Sequence, residues 1–189
     1  MHKKKNGLIF YEKKQVVSRS LVLEILSWVF YTVIAIVSAA LVVSAFGYRI
    51  LMTGASMMPE IRNGQYVLVN RAVYHLTSPK RGDMVVFYPN GNRNAPLSIK
   101  RVVGLPGETI RIEDGRVMID DRPESDVNHR YDRIQDPGIA ADGITLGSKE
   151  YFVLGDRRNT SEDSRSAGIG PVHADAIIGK AWFVYGGHP

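Results

Sequence analysis

Residues 25–46 are 22 consecutive positions without a charged side chain. A helix of that length reaches about 33 Å, and the hydrocarbon core of a bilayer is about 30 Å thick. The run exceeds what a buried helix of a soluble domain needs. Trp28 and Tyr31 near one end, and Tyr48 with Arg49 just past the other, suit interfacial positions. Glu24 stands at the edge, where a charge is tolerated. Residues 1–20 carry six Lys/Arg against one acid, Glu12, whereas residues 47–189 carry eighteen against seventeen. The net charge of +5 therefore belongs to a flank rather than to a domain surface. That is the positive-inside pattern, and it argues against nucleic-acid binding. The expected layout is a basic cytoplasmic tail (1–20), a transmembrane helix (21–46) and a domain on the outer face of the plasma membrane (47–189). The lipid bilayer is then a partner of the chain.

A cleaved leader is the rival reading of the span, because Val43-Ser44-Ala45 places small residues where a processing enzyme inspects them. The apolar region of such a leader is about 7–15 residues, so a retained anchor fits better. The chain has no cysteine. Disulfides, thiolate catalysis and cysteine-ligated zinc are excluded. His2, His75, His129, His173 and His188 are too dispersed to bind a metal. No glycine loop for phosphate is present. Neither metal nor cofactor is expected.

Beyond Tyr48 the apolar residues fall into short alternating runs. Strands are predicted at 66–69, 84–88, 99–104, 109–113, 116–119, 151–154 and 177–185. Asp114-Gly115 between two of them signals a two-residue hairpin turn. No amphipathic helix longer than two turns is evident. The expected fold is mainly β: one membrane helix followed by a compact domain, a folded-over barrel or sandwich. Residues 121–149 are polar and aperiodic, and read as a mobile excursion from the sheet.

Three segments carry candidate chemistry. Ser56 lies in Gly54-Ala55-Ser56-Met57-Met58-Pro59. Lys100 lies in Ser98-Ile99-Lys100-Arg101-Val102-Val103-Gly104, alternating with apolar neighbours whose buried face the pattern leaves open. Residues 155–165 crowd acids, bases and hydroxyls more densely than a solvated loop requires, and could brace a site. A lysine can act as a base only where burial strips its proton.

In this order, behind such a span, the segments resemble the type I signal peptidases, or leader peptidases, in a Gram-positive-like short form. Two departures stand out: Arg157 where the family usually has Asn, and Glu60 where Thr or Ser is common. The resemblance implies Ser56 as nucleophile and Lys100 as general base, a serine–lysine variant of the triad logic. It implies Ser161 as a hydrogen-bond partner that orients the lysine amine. Asp163 and Arg165 become a bracing pair, Asp156 a structural acid, and Arg101 a basic residue outside the dyad. Met52, Met57, Ile61 and Ile99 would line pockets for small residues at −1 and −3 of a signal peptide, which is the implied partner and would add as an extended strand; ordinary core packing explains these four equally well. The Ser56 backbone N–H is the natural first donor to the oxyanion. In one branch of the family a serine hydroxyl at the position of Gly54 supplies the second; here a second backbone amide or a water must serve, and Gly54→Ser is expected to give a modest gain.

Two other readings compete. A self-cleaving serine–lysine repressor would need a DNA-binding domain and a cleavable Ala-Gly bond upstream, yet Ala167-Gly168 follows Lys100. A non-catalytic, membrane-anchored interaction domain would be expected to lose Ser56, Lys100 or Ser161, and all three are present.

Overall fold

The computed structural model describes residues 19–124 and 131–187. The chain divides into two units within its first helix, at Leu41. That helix, α1 (Arg19–Phe46), has 28 residues and begins before the uncharged run. Its apolar side chains, including Leu23, Trp28, Phe30 and Ile36, are exposed. Its hydroxyls bond back to the helix: Ser27 Oγ donates to the Glu24 carbonyl and Thr32 Oγ1 to that of Trp28, each at 2.8 Å. This satisfies polar groups for which hydrocarbon offers no partner. By length and composition α1 can cross a membrane.

The second unit is mainly β, as expected. Its strands are β1 (Tyr48–Leu51), β2 (Tyr66–Asn70), β3 (Met84–Phe87), β4 (Ser98–Gly104), β5 (Thr109–Glu113), β6 (Arg116–Ile119), β7 (Arg122–Pro123), β8 (Ile144–Thr145), β9 (Glu150–Leu154), β10 (Val172–His173) and β11 (Ile177–Tyr185). Seven form one sheet in the order β1-β2-β11-β3-β4-β9-β10, and four a second in the order β7-β6-β5-β8. The larger sheet curls into a half-barrel. Register shifts in β11, between Ile177 and Gly179 and between Ala181 and Phe183, bend the long strand that bridges β2 and β3.

β4 runs through the interior with Ile99, Lys100, Val102 and Val103 all buried. Both of its faces are covered, which is why alternation in this strand marks no solvent side. One core joins Met57, Ile61, Val67, Val86 and Ile99. A second joins Val85, Phe87, Val102 and Val153. The third lies between the sheets, where Val103, Phe152 and Leu154 meet Ile110, Ile112 and Val117. The predicted hairpin closes in register, with Glu113 opposite Arg116. Asp114 and Gly115 take φ of 49° and 73°, as a turn matching strand twist requires.

The reading of 121–149 as a mobile excursion needs correction for its described part; residues 125–130 lie outside the described residues. Ile134, Ala140 and Leu146 are buried in the third core, and β7 and β8 extend the small sheet on either side. The backbone is tied down as well. Ile134 N–H donates to Gly115 (2.9 Å), Ile139 N–H to Arg165 (2.9 Å) and Leu146 N–H to Glu108 (2.9 Å). Three core residues spread over thirteen positions leave no period to read.

Candidate active site

Ser56 sits in the loop between β1 and β2. Met57, next to it, and Ile61 are fully buried and pin the loop to the core. Gln65 and Gly64 close the loop onto Met52 through backbone bonds of 2.8 and 2.9 Å. The Gly54 N–H donates to Asn63 Oδ1 at 2.9 Å, a partner that the sequence did not single out. Ser56 therefore stands on a backbone held from both sides.

Lys100 comes from the middle of β4, between β3 and β9. It is 5% exposed, and its Nζ donates to Ser56 Oγ at 2.9 Å. Burial pulls the amine's pKa below the usual lysine value, while Asp163 and Glu162 oppose the shift. The net fall makes a neutral amine accessible at lower pH than in water.

The loop after β9 completes the cluster. Gly155 N–H donates to Asp163 Oδ2 at 3.1 Å, and Arg157 N–H donates to the Ser56 carbonyl at 3.0 Å. A Cβ on Gly155 would collide with Ser161 Oγ and the Ser56 carbonyl oxygen. Only glycine permits this approach. The Asp163 carboxylate accepts from Arg165 Nε at 2.8 Å and Nη2 at 3.0 Å. Arg165 also donates to the carbonyls of Asp136, Arg158 and Ser161, so one buried guanidinium ties the 155–165 loop to itself and to the segment bearing Asp136. Ser164 Oγ accepts from Val153 N–H at 2.9 Å. Asp156 accepts from Arg101 Nε and Nη2 at 2.7 and 2.6 Å; these bonds raise the guanidinium's pKa against the effect of burial. Through this pair the strand bearing Lys100 is locked to the loop touching Ser56.

Three expectations are changed by this geometry. Ser161 Oγ is buried but, among the described residues, has no hydrogen-bond partner; the expected bond to Lys100 is not formed. Met52 and Ile99 line a cavity of about 300 Å³ that also includes Leu51, Leu97, Ser56 and Lys100. Met57 and Ile61 do not line it: all four share one core, but Met57 and Ile61 have no exposed surface, whereas Met52 and Ile99 keep a little. At Gly54 φ is 91°, a conformation that side-chain-bearing residues resist. The expected gain from Gly54→Ser is withdrawn.

The sequence model of the signal peptidase family, peptidase S26, matches residues 25–186. The chain belongs to the signal peptidase family. It is 31% identical over 166 residues to signal peptidase I T of Bacillus subtilis, covering 85% of this chain and 84% of that one. Signal peptidase I of Leptolyngbya laminosa is 37% identical over 153 residues, 74% of this chain and 72% of that protein. A crystal structure of a signal peptidase I from Enterococcus faecalis V583 aligns with a TM-score of 0.44 and 30% identity, covering 56% of this chain and 98% of that chain. Members of this family are peptidases.

Proposed function

We propose that the protein is a membrane-anchored serine endopeptidase that removes signal peptides from exported preproteins. It cuts after small residues at −1 and −3, with Ser56 as nucleophile and Lys100 as general base. The observation carrying this reading is the 2.9 Å contact between Ser56 Oγ and the buried Lys100 Nζ. Neutral Lys100 takes the serine proton as Oγ attacks the carbonyl carbon of residue −1. Charge develops on the carbonyl oxygen, and the Ser56 N–H, which has no acceptor among the described residues, is free to receive it. Lys100 then delivers its proton to the departing amine of the mature protein, leaving the signal peptide as an ester on Ser56. Water attacks the ester with Lys100 again as base, and the signal peptide leaves as a carboxylate.

Supporting roles follow from position. Asp163–Arg165 and Asp156–Arg101 hold the loop and the strand in place. Met52 and Ile99 wall the small cavity, which favours small side chains beside the cut. Basic residues before the span hold the N-terminus in the cytoplasm and place the peptidase unit outside. Incubating detergent-solubilised protein with a preprotein and sequencing the new N-terminus tests the reading. Cleavage after an Ala-x-Ala-like site, lost in Ser56→Ala, is expected. Equal cleavage by Ser56→Ala would refute the nucleophile.

A further inference from the structure

The cavity beside Ser56 draws its walls from residues 50–53 and 96–100. Arg157 is not among them. It approaches Ser56 through its N–H at the Ser56 carbonyl, with Gly155 against the same carbonyl oxygen. These two sets of residues flank the nucleophile separately. With the acyl half in the cavity, residues 155–157 border the nucleophile outside the space that half fills.

The charges around residues 155–157 are mostly committed. Arg101 is held by Asp156, and Arg165 by Asp163. Arg158 is buried against Glu124 at 3.3 Å and over the Tyr131 ring at 4.1 Å. Two exposed acids lie in the surroundings. Glu162 acts on Lys100 and Glu60 on Arg101. Arg157 alone of this group is a cation that is exposed and, among the described residues, has neither hydrogen bond nor ion pair for its guanidinium.

We propose that Arg157 reads the first residues of the released chain, favouring acidic side chains at +1 and +2 and disfavouring basic ones. This rests on the peptidase reading above and adds a substrate preference to it. The chemistry is a flexible guanidinium on a wet surface meeting a carboxylate as the leaving half passes. Exposed pairs of this kind are worth about two- to fivefold each, and salt screens them.

The test uses the full-length protein in detergent and three preproteins identical except for Asp, Asn or Lys at both +1 and +2. The ratio of kcat/KM for the Asp and Lys substrates is the readout. In the wild type it should be about fivefold in favour of Asp and shrink toward one at about 0.5 M salt. Arg157→Gln should erase it, Arg157→Glu should invert it, and Arg157→Lys should keep it. A wild type that cuts all three equally overturns the proposal, as does an Arg157→Gln that keeps the ratio. A wild type that cuts none of the three would instead remove the peptidase reading beneath it.

Discussion

At Lys100 a strand interior holds an amine that water would keep protonated. Burial favours the neutral form, and the nearby carboxylates of Asp163 and Glu162 favour the charged one. Only the neutral amine can accept the Ser56 proton, so the cleavage rate should rise with pH through the depressed pKa and level off at alkaline pH. Glu162→Gln removes one group that holds the pKa up, and should move the rising limb to lower pH. Lys100→Arg should abolish cleavage, because a guanidinium keeps its proton. A limb that stays in place in Glu162→Gln, or an active Lys100→Arg, would contradict this account. Gly54 makes a different demand. Its φ of 91° costs a side-chain-bearing residue about 1–2 kcal/mol, and the loop can relieve that strain only by moving its neighbours. Gly54→Ser should therefore lose about tenfold or more in kcat/KM while circular dichroism stays native. A gain would revive the idea of a serine hydroxyl as oxyanion donor.

Among the elements, those with strict local patterns were legible: the 109–119 hairpin with its Asp-Gly turn, and the long β11. Two-residue strands such as β7, β8 and β10 were not, because two positions define no period. Nor was the role of 131–149. Its apolar residues are too sparse for a pattern, yet Ile134 is 6% exposed inside the core between the sheets. Ile134→Ala should thus cost about 2–4 kcal/mol, read from denaturant unfolding of the solubilised protein. A mobile loop would lose no more than about 0.5 kcal/mol, and a change that small would restore the earlier reading of the segment.

For the whole molecule, topology is the property most exposed to test. A basic flank before α1 and a nearly neutral unit after it predict that protease added outside wall-stripped cells degrades the chain from Gly47 onward. Protection of that unit would reverse the orientation and exclude exported preproteins as substrates. The sequence by itself determined the apolar span, the β character and the segments bearing Ser56, Lys100 and residues 155–165. Those follow from local composition, period and family-specific motifs, which are written along the chain. Only the tertiary structure decided which of these side chains meet. Ser56 and Lys100 are 44 positions apart and come within 2.9 Å because β4 is threaded between β3 and β9 while the loop after β9 folds back over the β1–β2 turn. Tertiary packing also drew Met57 and Ile61 into the core and away from the cavity, and left Ser161 Oγ buried without a partner. Burial, backbone angle and the approach of one loop to another depend on contacts between distant segments, so no window of sequence contains them.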